Sequence, residues 1–262
     1  MMGATVIVQA GGGLNALPDR ELVFLGDRSA LACTLERARR IPGVDLVVCA
    51  APDDRDHDLV AEEAADCAVM VVRGPAADPL GLMAQAAREA EAQTVVRITS
   101  QCPLIDPVIA GGVLALLTDA SADYASNTMP ARFPHGLDCE AFSAILLAEA
   151  DRRADTLAER RSVTGWIRRH HGLTRANLTG PGGGLEHLRW MLETPEDAAF
   201  LQALFAELGG KALMASAAEI AALCLRRPDL SELNADRVDY ARLVSSERAS
   251  VETRPMRFPF AA

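Results

Sequence analysis

Residues 94–107 read TVVRITSQCPLIDP, and the interpretation of this stretch decides the fold. Thr94, Val95, Val96 and Ile98 are β-branched in a short, mostly apolar run, which predicts a buried strand. The run stops at Thr99-Ser100-Gln101-Cys102-Pro103, a polar turn closed by proline. Asp106 and Pro107 then form a helix start, an N-cap followed by proline at the first helical position. Ligands of open α/β sheets bind just outside the carboxyl ends of the strands, so this polar turn is a candidate site.

Working outward, strands are expected at Thr5–Gln9, Asp45–Ala50 and Ala68–Val72, and helices at Ser29–Arg40 (capped by Ser29), Asp58–Ala65 and Pro79–Ala92. A helix follows at 107–118. Alternation of this kind predicts an α/β domain, three layers deep, with a mostly parallel mixed sheet. Beyond it, short strands are expected at Asp123–Asn127 and Leu137–Phe142, within a small β-rich extension spanning 123–180. A single charged helix is expected over Ser143–Arg161, its charges a solvated face with i,i+4 pairs. Leu188–Leu192 is expected as a strand, and Thr194 as the cap of a long helix. One domain is expected over 1–245, and the tail at 246–262, which lacks an apolar period, is expected to be poorly ordered.

The chain has 262 residues and is half apolar, enough for a large core. Aromatics make up only 4%, so Ala, Leu, Val and Ile must build that core. A net charge of −10 disfavours a nucleic-acid surface, although a few local cations suffice for a nucleotide. The six cysteines are scattered without a CxxC pair and read as buried thiols in a reducing compartment. No stretch approaches the roughly 18 apolar residues of a membrane span. With no cationic region ahead of the first apolar residues, a cytoplasmic protein is expected.

Gly11, Gly13 and Ala16 formally spell G-x-G-x-x-A, but Leu17-Pro18 falls where a dinucleotide-binding helix should already run. The second strand also ends in Cys49-Ala50-Ala51 rather than an acid for a ribose. A glycine loop approaching phosphate through its backbone, or a plain tight turn, fits better. Asp138 and Glu140, read as i and i+2 of a strand, share a face: a polar pocket wall or a solvated sheet face. Arg97 inside a strand needs a partner, which is either a structural ion pair or a base-side contact. His135 reads as a loop residue, and His170, His171 and His187 lack metal-ligand spacing.

Four segments in order, RITSQCPLIDP (97–107), DYASNTMPARFPHGLDCEAFS (123–143), LRWMLETPED (188–197) and RRPDLSELN (226–234), resemble the cytidylyltransferases that make CMP-activated sugars, the spore-coat polysaccharide type above all. The resemblance implies transfer of CMP from CTP to an acidic sugar with release of pyrophosphate, Mg²⁺ or Mn²⁺ as cofactor, and a homodimer. It places substrate contacts at Gln9, Ala10, Gly11, Gly12, Gly13, Arg97, Ser100, Asn127, Arg132, Asp138 and Glu140, with Arg132 suited to a carboxylate. It places catalytic groups at Arg20, Gln101 and Glu193, the last two as metal ligands.

The chain departs from the family pattern at those working positions. Gln101 and Glu193 stand where Asp is usual, and Gly11, Asn15, Ala16 and Arg20 where Arg, Ser, Arg and Lys are usual. Gly81-Leu82 replaces Asp-Arg, and Arg161-Ser162-Val163-Thr164-Gly165 replaces Glu-His-Val-Thr-Pro. Two expectations follow: a nucleotidyltransferase with a rearranged site, or a nucleotide- or sugar-binding relative that has lost catalysis with the Asp at 101.

Overall fold

A computed structural model describes residues 3–11 and 17–243. The strands are β1 (Ala4–Gln9), β2 (Phe24–Leu25), β3 (Arg28–Ser29), β4 (Val44–Pro52), β5 (Met70–Gly74), β6 (Thr94–Thr99), β7 (Tyr124–Ser126), β8 (Glu140–Ser143) and β9 (Arg175–Asn177). The helices are α1 (Ala30–Ala38), α2 (Asp58–Asp66), α3 (Pro79–Glu89), α4 (Pro107–Asp119), α5 (Ala144–Arg153), α6 (Leu157–Ser162), α7 (Gly165–Arg169), α8 (Pro195–Leu208), α9 (Ala217–Arg226) and α10 (Pro228–Glu232).

Seven strands form one sheet in the order β5-β4-β1-β6-β8-β7-β9, with β2 and β3 a separate hairpin. The first four are mutually parallel, β8 is antiparallel to both β6 and β7, and β9 is parallel to β7. The segment 123–180 thus adds its strands to the main sheet. Because side chains alternate across a strand, β1 sends Val6 and Val8 into one core and Ile7 into the other. The first core is closed by α1, α4, α8 and α9, the second by α3 and α5, which makes the three layers.

Helix starts follow their local chemistry. The Ser29 side chain accepts from Ala32 N, and Asp106 accepts from Val108 N and Ile109 N with Pro107 in the first turn. Thr194 and Asp197 form a reciprocal capping box. Three expectations need correction. The helix predicted over 143–161 is broken after Arg153, because Thr156 and Glu159 form a capping box that starts α6. The predicted strand at Leu188–Leu192 has, among the described residues, a single isolated bridge, His135 to Arg189, because its neighbour is a loop. The strand predicted from Leu137 begins only at Glu140, since the Asn127 amide holds the backbone of 137 and 139 instead.

Candidate functional site

Strand order reverses around β1: β4 and β5 lie to one side, and the chain then returns to place β6 on the other. Crevices of open α/β sheets form at such a switch point. At the β6 side opens a cleft of about 690 Å³, lined among others by Arg97, Gln101, His135, Asp138, Glu140 and Arg168.

The cleft floor is a cross-strand network. Arg97 Nη1 donates to Glu140, its register partner on β8, while Nε and Nη2 donate to Gln9 Oε1 at 3.0 and 2.7 Å. Glu140 also accepts from Tyr124 Oη at 2.5 Å and Thr164 Oγ1 at 2.7 Å. Burial raises the Glu140 pKa, but Arg97, Arg168 and the two hydroxyls outweigh it, so the carboxyl titrates below its ordinary value. Of the two roles left open for Arg97, the structure makes it an ion pair that also faces the cleft.

Asp138 precedes β8 and still reaches the cleft. Arg242 grips it, with Nε donating to Oδ2 at 3.0 Å and Nη2 to Oδ1 at 2.5 Å. His135 Nε2 lies 3.8 Å from the same carboxylate, and burial pushes the imidazole pKa down despite that neighbour. His135, expected as a plain loop residue, therefore lines the cleft. Gly136 allows this loop to run against residues 190–191: at φ +114° a Cβ would fall 2.6 Å from the Trp190 carbonyl carbon. Asn127 and Arg132 are directed elsewhere. The Asn127 amide bonds Leu137 O and Cys139 N, and Arg132 pairs with Glu186 at 3.4 Å.

A second cluster gathers the first loop, the 99–101 turn and the segment before α8. Leu192 N donates to Gln101 O at 2.8 Å, which sets Gln101 beside the residue that precedes Glu193, and Leu17 N donates to Glu193 O at 2.8 Å. Arg20 is buried, with Nη2 donating to Gly11 O at 3.2 Å. Ala10 N donates to Ala50 O at 2.8 Å, and Ser100 Oγ donates to Glu21 at 2.9 Å. Gly11 has φ +76°, and a Cβ there would fall 2.8 Å from both His57 Nε2 and Pro52 Cγ. An arginine, usual at that position, would not fit without displacing His57 and Pro52, a physical reason for the departure. Gly12, Gly13, Asn15 and Ala16 lie outside the described residues.

The donor chemistry suits Mg²⁺, which takes one or two carboxylates and completes its shell with phosphate and water. Glu193 supplies a half-buried carboxylate that also accepts from Arg189 Nη2 at 3.1 Å, and Gln101 supplies a neutral carbonyl oxygen on the cleft. Among the described residues no three His, Cys, Asp or Glu converge into a cage made by protein alone.

Sequence reasoning missed Glu21, Arg168, Arg169 and Arg242. The pair Arg168-Arg169 ends the short helix α7 and lines the cleft, and its adjacent charges were the one available signal. Arg168 donates its backbone N–H to Thr164 O at 2.9 Å, and its guanidinium acts electrostatically on Glu140.

The family model described as "Cytidylyltransferase" matches residues 5–192. The spore coat polysaccharide biosynthesis protein SpsF of Bacillus subtilis is 27% identical over 230 residues, 85% of this chain and 94% of that protein. A 3-deoxy-manno-octulosonate cytidylyltransferase of Anaeromyxobacter sp. is 33% identical over 109 residues, 41% of this chain and 44% of the relative. Among solved structures, a cytidylyltransferase from Leptospira borgpetersenii superposes with a TM-score of 0.81 at 23% identity, covering 88% of this chain and 97% of its own. No helix among the described residues is long and apolar enough to cross a membrane.

Proposed function

The chain belongs to the cytidylyltransferase family, and from that premise we propose that it transfers CMP from CTP to a hydroxyl of an acidic sugar, releasing pyrophosphate, for a surface polysaccharide or glycan. The observation that carries this reading is the cleft beside the 99–101 turn, walled by Arg97, Arg168 and Arg169 in a chain whose net charge is −10. Cations concentrated there favour a carboxylate-bearing acceptor, and guanidinium groups hold carboxylates through paired hydrogen bonds. His135, kept neutral by burial, and Asp138 give the same wall acceptors for sugar hydroxyls.

The sugar hydroxyl attacks the α-phosphorus of CTP in line, and catalysis is mainly positioning and electrostatic stabilisation. Glu193 and Gln101 would hold Mg²⁺ together with the phosphates, and the ion would supply neutralising charge to the triphosphate. Arg20, fixed by Gly11 O, adds the first loop's positive charge. A homodimer built through 123–180 belongs to the same reading, supported by Ile145 and Leu157, large apolar residues exposed on α5 and α6.

A second reading, a nucleotide- or sugar-binding relative without turnover, is favoured by two observations. Residue 101 brings no charge, and Gly11 leaves no room for a cation. Pyrophosphate release separates the two readings, assayed with each of four nucleoside triphosphates, Mg²⁺ or Mn²⁺ and a panel of acidic sugars, with Gln101→Asp beside the natural chain. Turnover by the natural chain with CTP supports the enzyme. Turnover by Gln101→Asp alone marks catalysis lost at the metal. Nucleotide binding without turnover by either supports the binding protein.

A further inference from the structure

The segment RRPDLSELN (226–234) carries part of the family resemblance, and the residues that follow it run on to the cleft. Asn234, Arg237 and Arg242 anchor this stretch as a strap. Asn234 is buried, and its Nδ2 donates to Arg189 O at 3.0 Å and to Asp197 Oδ1 at 2.9 Å, inside the network through which Arg189 also holds Glu193. Arg237 Nη2 donates to Glu196 at 2.7 Å. Arg242 N then donates to Asp239 Oδ1 at 2.9 Å, and the Arg242 side chain lines the cleft, only 11% exposed.

The far end of the strap closes on Asp138. Asn127 pins the backbone on both sides of that residue, at Leu137 O and Cys139 N, but leaves its side chain to other partners. Arg242 supplies them, with Nε on one carboxylate oxygen and Nη2 on the other. A forked pair of this kind fixes the plane of a carboxylate as well as its place. His135 lies on the same wall, 3.8 Å from Asp138. Burial lowers its pKa most; Asp138 and Asp239 raise it, while Arg242 and Arg189 lower it. Protonating the ring would bury a charge whose Nδ1 has no hydrogen-bond partner among the described residues.

We propose that Arg242 is a positioning residue for the acceptor: it fixes the Asp138 carboxylate at the cleft and keeps positive charge beside His135, so that both present hydrogen-bond acceptors to sugar hydroxyls in set directions. For the acceptor this rests on the nucleotidyl-transfer reading; the coupling of Arg242 to Asp138 and His135 stands on geometry.

The test compares the natural full chain with Arg242→Ala and Arg242→Lys. In an NMR titration the His135 midpoint should rise in Arg242→Ala, since a cation leaves and Asp138 is released beside the ring, and stay near its natural value in Arg242→Lys, which keeps the charge. In the pyrophosphate assay kcat/KM for an acidic sugar should fall about 10-fold or more in both variants, because misplacing a positioning group by ~1 Å costs on the order of 100-fold and Lys lacks the fork. KM for CTP should change little. An unchanged His135 midpoint in Arg242→Ala overturns the proposal, as do unchanged acceptor kinetics in both variants. A shift confined to the urea unfolding midpoint overturns it too, and makes the contact a structural ion pair. If the natural chain turns nothing over, the transfer reading falls and the acceptor role with it, while the His135 midpoint still decides whether Arg242 acts on this wall. Should Arg242→Ala not fold, Arg242→Lys decides: weakened acceptor kinetics at a natural His135 midpoint support the role, and natural kinetics overturn it.

Discussion

Arg97 and Glu140 face each other across the β6–β8 pair and join as an ion pair where the parallel run β5-β4-β1-β6 meets β8, which runs against it. The pair is nearly closed to solvent, with side-chain exposures of 17% and 8%. Removing one partner leaves the other charge buried, at a cost of about 3–5 kcal/mol. Glu140→Ala is expected to lower unfolding free energy by that amount in urea titration, and Glu140→Gln by less, because Tyr124 and Thr164 keep an acceptor.

The same carboxyl makes stability depend on acid. Its folded pKa lies below the ordinary 4.5, so the unfolded chain binds the proton first as pH falls. Its contribution is complete above 4.5 and is lost as pH drops through the folded value. Natural protein should therefore lose more stability below pH 4.5 than Glu140→Gln, read from urea midpoints across the acid range.

His135 responds in the other window. Burial lowers its pKa below 6.5, so between the folded value and 6.5 the unfolded chain carries more protons and stability rises with pH. Asp138 opposes the shift, so Asp138→Asn should lower the His135 midpoint further in an NMR titration. An unchanged midpoint would show that the carboxylate is not acting on the ring.

Gly136→Ala brings a methyl group to within 2.6–2.8 Å of the Trp190–Met191 peptide, and backbone cannot move aside as a flexible side chain can. Left-handed strain adds about 1–3 kcal/mol. Loss of at least about 2 kcal/mol is expected, with the His135–Leu188 and Trp190–His135 backbone bonds the first to exchange deuterium.

Arg168→Ala tests the acceptor side of the proposed reaction. Loss of a carboxylate-binding cation should raise KM for an acidic sugar about 10-fold or more, equivalent to roughly 1.4 kcal/mol, with KM for CTP little changed. A change in KM for CTP alone would place Arg168 on the nucleotide instead.

Fold-level features were legible because they are local. The apolar runs that became β1, β4 and β6 need only their own composition, and Ser29, Asp106 and Thr194 cap helices that begin one residue later. Where two local signals compete, the reading failed: the apolar and charged residues of 143–161 suggested one helix, while Thr156 and Glu159 start another. For the candidate site, the sequence offers positions but no partners. Gln101 is tied to Leu192, and Glu193 to Leu17, through backbone bonds that no side-chain pattern encodes.

The sequence by itself determined the layered α/β architecture, the polar turn after β6 and the positions where the chain departs from its family, since each depends on residue type and short spacing. Only the tertiary structure decided that Arg97 pairs with Glu140, 43 residues on, that Arg242 grips Asp138, 104 residues before it, and that Glu21 reaches Ser100. Those choices depend on which strands lie side by side. A charge leaving water takes whatever partner the sheet order brings within hydrogen-bond reach.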